Sequence, residues 1–120
     1  MTAKKIVEAF YKSDAFLNLA EMESFLHEEF ILEWESSKGF SKLNRQEVLA
    51  LTKELAASYV RSKIRIHSIL QEKNKVAVRY SHFVKTVENP REEMLLANFF
   101  VIWELKDDKL YRCFQMSQLN

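Results

Sequence analysis

After Tyr59 the hydrophobic period of this chain changes from about 3.6 to 2 and does not change back. Apolar residues recurring every three or four positions share one face of a helix, whereas strict alternation places them on one face of a strand. The switch therefore divides the chain into a helical first half and a strand meander. Few folds accommodate that order.

In the first half, Ile6, Val7 and Phe10 share a helical face within Ala3 to Lys12, with Thr2 as the N-cap. Two later segments, Leu17-Asn18-Leu19-Ala20-Glu21-Met22 and Leu43-Asn44-Arg45-Gln46-Glu47-Val48, repeat one device. Each has an Asn cap, Glu at N3 and apolar residues at N′ and N4. They start helices that run to about Leu26 and about Ala57. Between them, Phe30 to Glu35 reads as a short strand closed by the turn Ser36-Ser37-Lys38-Gly39.

In the second half, strands are expected over Ile64 to Leu70, Val76 to Val84, about Met94 to Leu105, and Lys109 to about Gln118. Asn74 supplies the left-handed residue of the Glu72 to Lys75 turn, Asn89-Pro90 the next reversal, and Asp107-Asp108 the last. The order α-α-β-α-β-β-β-β predicts an α+β fold in which three helices pack on a curved, mostly antiparallel sheet. One domain is expected over residues 1–120. The third long strand is apolar on both faces: Leu95, Ala97, Phe99, Val101, Trp103 and Leu105 on one, Met94, Leu96, Phe100 and Ile102 on the other. A single layer of helices covers one face only. The other is expected to pack against a second copy, giving a homodimer through the sheet, with Asn98 and Glu104 hydrogen-bonding across it or lying at its rim; with the faces reversed they would be ligand contacts.

Composition removes several functions. One Gly and one Pro stand where average usage gives about 8 and about 6, so neither a P-loop nor a Gly-rich dinucleotide turn can form. Any pocket should be preformed, without a Gly-rich lid. The formal charge is +1 with the signs interspersed, and Arg61, Lys63 and Arg65 alternate with Ser62 and Ile64 as a solvated strand face does. No nucleic-acid partner is expected. No apolar run approaches the ~20 residues of a membrane span, and Met1 to Phe10 carries no leader pattern. Cys113 alone makes no internal disulfide, which fits a reducing cytoplasm. His27, His67 and His82 are scattered without metal-ligand spacing, so no metal and no cofactor is expected.

Four segments together resemble a known family: Phe10-Tyr11, Glu29-Phe30-Ile31-Leu32-Glu33-Trp34, Asn44-Arg45-Gln46-Glu47-Val48, and Leu105-Lys106-Asp107-Asp108-Lys109-Leu110. Over nearly the whole chain it is similar to the nuclear transport factor 2-like superfamily and, within it, the SnoaL-like group. The resemblance implies a cone with a pocket between concave sheet and helices. Members include ketosteroid isomerases, polyketide cyclases, dehydratases, epoxide hydrolases and plain interaction modules. Isomerase-like members use a tyrosine, a base aspartate and a protonated aspartate; counting along this chain puts Phe10, Trp34 and Val101 at those places. SnoaL-like cyclases often end the last strand with Tyr-x-Asp, where this chain has Met116-Ser117-Gln118. Gln118 can orient a ligand but cannot remove a proton.

His82 falls on the same strand face as Val76, Val78 and Tyr80, which makes it the candidate general base; its plainer reading is a solvent-accessible strand histidine. Tyr11, Trp34, Tyr80, Trp103 and Gln118 are the candidate pocket lining, with core packing the plainer reading of Trp103. His27 is expected to complement a helix end and His67 to be exposed. Cys113 reads as a buried or interface hydrophobe rather than a nucleophile, and Glu33 and Glu35 as outward. The resulting expectation is a SnoaL-like protein whose pocket binds a small apolar molecule. Its activity would be that of a cofactor-free isomerase, cyclase or dehydratase on a small carbonyl compound. The alternative is a non-catalytic ligand-binding or dimerisation module.

Overall fold

Side-chain caps set where the helices begin. In the computed structural model, which describes residues 1–119, Thr2 accepts a hydrogen bond from the Lys5 amide at 3.2 Å and starts α1 (Ala3–Lys12). Ile6, Val7, Phe10 and Tyr11 are its buried face, and Ser13 ends it by bonding the carbonyls of Ala9 and Phe10. Asn18 accepts from the Glu21 amide at 3.0 Å to start α2 (Leu19–Phe25). The return half of that box does not form, because the Glu21 carboxylate accepts from the Asp14 amide instead. At α3 (Arg45–Ser58) the box is complete: Asn44 Oδ1 accepts from the Glu47 amide at 2.9 Å and Glu47 Oε1 from the Asn44 amide at 3.0 Å.

Six strands follow from the alternation: β1 (Leu26–Ser36), β2 (Gly39–Asn44), β3 (Tyr59–Glu72), β4 (Lys75–Thr86), β5 (Met94–Lys106) and β6 (Lys109–Leu119). They form one sheet in the order β2-β1-β6-β5-β4-β3. All neighbours are antiparallel except β1 and β6, which run parallel. The last strand thus inserts beside the first, and helices and sheet make the expected α+β fold.

Several local expectations are corrected. Between the turn ending at Gly39 and the Asn44 cap no strand is expected, yet Gly39–Asn44 is one, pairing with β1 from Ser36↔Gly39 to Ile31↔Asn44. With only Phe40 and Leu43 apolar it has little pattern of its own, and its ladder to β1 holds it. In the β3–β4 turn the positive φ belongs to Lys73, at 55°, not to Asn74. Asn74 serves another purpose: its carbonyl accepts from the Leu105 amide at 2.9 Å and its side-chain amide donates to the Leu105 carbonyl at 3.2 Å. Asp107 and Asp108 both take positive φ, as a two-residue primed hairpin requires.

The two rows of β5 fall as the alternation predicts, with Ala97, Phe99, Val101, Trp103 and Leu105 buried and Met94, Phe100 and Ile102 exposed. Leu96, expected on the outer row, and Leu95, expected on the inner row but outside the buried core, are the exceptions. The β4–β5 register shifts so that His82 pairs with Ala97 and Phe83 with Leu95, leaving Leu96 as the extra residue of a bulge. It packs against the core rather than on the outer row. Under the helices, Phe10 is the hub of an aromatic cluster, with the rings of Tyr11, Phe16, Phe25 and Trp103 at 5.2 to 5.4 Å. Burying one such ring is worth about 3 kcal/mol. Among the described residues no helix is long and apolar enough to cross a membrane.

Candidate functional site

Helices and sheet do not close completely on each other. They leave a cavity of about 130 Å³ to which every layer contributes: Phe10 from α1, Phe16 from the following loop, Met22 from α2, Val48, Leu51, Thr52 and Leu55 from α3. From the sheet come Leu26, Phe30, Leu32 and Trp34 of β1, Tyr80 and His82 of β4, Leu96, Phe99 and Trp103 of β5, and Cys113 and Gln115 of β6. None of these is Asp, Glu, Lys or Arg. Thr52 donates to the Val48 carbonyl at 3.1 Å, so its hydroxyl is already used. Few polar groups therefore remain for a ligand.

His82 is the first of them. The alternation puts it inward with Tyr80, and it is only 4% exposed, so its plainer reading as a solvent-accessible histidine is corrected. Its ring lies 5.1 Å from that of Phe16 and 6.3 Å from that of Phe99. Nε2 is 2.6 Å from Ser62 Oγ on β3, and Nδ1 has no hydrogen-bond partner among the described residues. Burial lowers its pKa from 6.5 to about 4, so the imidazole is neutral at pH 7. Ser62 also borders a polar surface groove with Lys12, Asp14, Asn18, Arg61 and Lys63. One side of His82 thus faces an apolar cavity and the other reaches water through a hydroxyl.

A second set of polar groups borders the cavity at Tyr80 and Trp103 and extends behind them to Tyr11. The Trp103 indole Nε1–H donates to the Tyr11 hydroxyl at 2.8 Å, and the Tyr11 and Tyr80 rings are 4.7 Å apart. Tyr80 in turn stacks on Phe99 at 4.8 Å and 11°. Burial pushes the Tyr80 pKa up and nearby Cys113 adds to the rise, while a hydrogen bond from Tyr11 opposes it. Tyr11 is raised by burial and then by Tyr80. Both phenols are neutral. Cys113 is buried, and burial raises its thiol as well, which makes it a packing residue of the wall.

The structure brings His82, Tyr80, Trp34 and Trp103 together at the cavity but not the other two expected residues. Tyr11 lies behind the wall, supporting Trp103 rather than lining the space. Gln118 is exposed on the opposite face of the sheet, beside Asn98, Phe100 and Met116. The amide of that strand that reaches the cavity is Gln115, two positions on from Cys113. Period 2 counted from Cys113 would have found it. Trp34 is half-buried and donates its indole N–H to Ser117 Oγ at 2.8 Å.

Of the remaining candidates, His67 is exposed and meets Ser81 Oγ at 2.8 Å; Ser81 donates to Asn98 Oδ1. His27 does not cap a helix. It lies in β1, where Nδ1 accepts from the Glu29 amide at 3.0 Å and Nε2 is 3.6 Å from Asp107. Glu33 and Glu35 face outward, where they border a groove with Phe40, Phe100 and Met116.

No family model matches this sequence, and no curated protein matches it. Solved structures do. AclR, a candidate hydroxylase from Streptomyces galilaeus, superposes with a TM-score of 0.78 at 10% identity, covering 98% of this chain and 79% of that one. PrhC from Penicillium brasilianum gives 0.77 at 15% identity, covering 97% and 82%. A candidate SnoaL-like polyketide cyclase from Shewanella denitrificans gives 0.75 at 6% identity, covering 96% and 89%. The fold is that of the SnoaL-like, nuclear transport factor 2-like proteins. At such identities the likeness speaks for the fold, and chemistry rests on the residues of the cavity.

Proposed function

We propose that this chain is a single-domain, SnoaL-like pocket protein that catalyses cofactor-free proton transfer on a small apolar carbonyl compound, with His82 as the base. The observation that carries this reading is a buried, neutral imidazole in an apolar cavity with one ring nitrogen free. In the productive tautomer Nε2–H donates to Ser62 Oγ, which leaves the Nδ1 lone pair to take a proton from the carbon next to the carbonyl. A base of pKa about 4 suffices for such chemistry: ketosteroid isomerase works with an aspartate base of about 4.6. Tyr80, whose oxygen accepts from Tyr11, keeps its own proton for the developing enolate oxygen. Trp34 and Trp103 act as walls and Gln115 as an orienting amide.

Deuterium incorporation next to the carbonyl of cyclohexanone in heavy water tests this without knowledge of the natural substrate. The wild-type protein should accelerate exchange, and His82→Gln should lose about 10²- to 10⁴-fold of it. Equal rates would favour the second reading, a non-catalytic ligand-binding or dimerisation module.

That second reading has its own support. Phe100, Met116 and Ile102 are 64%, 62% and 47% exposed on the outer sheet face, and covering them is worth several kcal/mol before association costs. We therefore also propose a homodimer through this face. Sedimentation as a 14.3 kDa species would contradict it. The buried free thiol of Cys113 fits a cytoplasmic, reducing setting.

A further inference from the structure

The size and charge of the cavity limit what it can hold. An engineered cavity of about 150 Å³ lined by Leu, Ile and Phe takes up benzene; the one here is about 130 Å³. Its walls carry no ionised side chain at neutral pH. A carboxylate or phosphate brought inside would lose its hydration with no opposite charge to replace it. The polar groups on offer are neutral: His82 Nδ1, the Tyr80 hydroxyl, and the Gln115 amide, which makes no hydrogen bond among the described residues. Neutral donors and acceptors match a carbonyl or hydroxyl oxygen.

We propose that the cavity selects an uncharged molecule about the size of one six-membered ring, bearing a carbonyl or hydroxyl oxygen, and excludes both ionised and fused multi-ring relatives. This rests on reading the cavity as the ligand site, as above. Two residues set the limit. Phe16 stands between Phe10, at 5.3 Å, and His82, at 5.1 Å, closing one wall. Leu96 narrows another because the bulge beside His82 turns it inward. A fused multi-ring polyketide would need several times that space.

An NMR titration at pH 7 with cyclohex-2-enone, cyclohexanecarboxylate and the three-ring ketone anthrone tests the proposal by binding alone, apart from the exchange assay. The enone should give saturable shifts at His82, Met22 and Leu96, and the other two should bind at least tenfold more weakly. Phe16→Ala, and Leu96→Ala as a milder variant, should gain tenfold or more for anthrone while still taking the enone. Carboxylate or anthrone binding the wild-type protein as tightly as the enone would overturn the proposal. So would folded variants of both kinds that fail to gain anthrone. If none of the three probes moves those resonances, the cavity is not a ligand site, and the size selection and the catalytic reading fall together. Loss of exchange activity with binding intact would sink only the choice of base.

Discussion

Alternate residues of β5 point to opposite faces: Phe99, Val101 and Trp103 are buried beneath the helices, while Phe100 and Ile102 between them stay 64% and 47% exposed. The two rows are equally apolar in sequence. What separates them is cover, since the concave face receives three helices and the convex face receives none. Their polar groups differ accordingly. Inside, each is neutral, and His82, Tyr11 and Trp103 are hydrogen-bonded. Outside, charged Arg79, Glu33 and Glu35 border the grooves because water reaches them. Hydrophobicity of a row does not determine its burial; what packs on it does.

Substitutions on either face can break this comparison. The largest effect should come from Trp103→Ala, which removes a buried ring and strips the Tyr11 hydroxyl of its donor: a loss of about 3–5 kcal/mol by urea denaturation. Phe100→Ala, one face away and three residues before it, should cost less than about 1 kcal/mol in the monomer. Equal losses would mean the outer face is as structural as the inner.

Next in size is the pH dependence carried by His82. Its pKa is about 4 in the fold against 6.5 ordinarily, so between those values the unfolded chain binds a proton that the folded chain refuses. Its contribution is fully present above pH 6.5 and is lost as pH falls toward 4, by about 3 kcal/mol in all. The difference between the stability profiles of wild type and His82→Phe should show that loss in that window.

Smaller again are the caps of the helices that cover the inner face. Asn44→Ala should cost about 1 kcal/mol, and Asn18→Ala less, since only one of its two box bonds exists. Smallest for the folded monomer is Met116→Lys, within about 0.5 kcal/mol. Its reading is in sedimentation, where it should abolish self-association if the outer face is the dimer contact.

Elements with a strong period were legible in the sequence: three helices, four long strands, the two rows of β5 from Ala97 onward, and the inward position of His82 and Tyr80. Elements defined by partners were not. β2 has two apolar residues and is a strand because β1 lies beside it. The left-handed residue at Lys73 rather than Asn74 follows from hairpin register, and Asn74 is occupied by its bonds to Leu105. Leu96 faces inward only because β4 and β5 slip by one residue at His82. At the site, the family's Tyr-x-Asp motif points to Gln118, whereas the residue at the cavity is Gln115. Parity along β6 places Gln115 instead: Cys113 is buried, and an even step from it stays inside.

The concave face encloses an apolar cavity with a neutral, buried imidazole at its wall. An NMR titration of the His82 ring tests it most directly. The expected result is a pKa near 4 and a single neutral tautomer with Nε2 bonded to Ser62. A pKa near 6.5, with the ring protons exchanging freely with water, would contradict it.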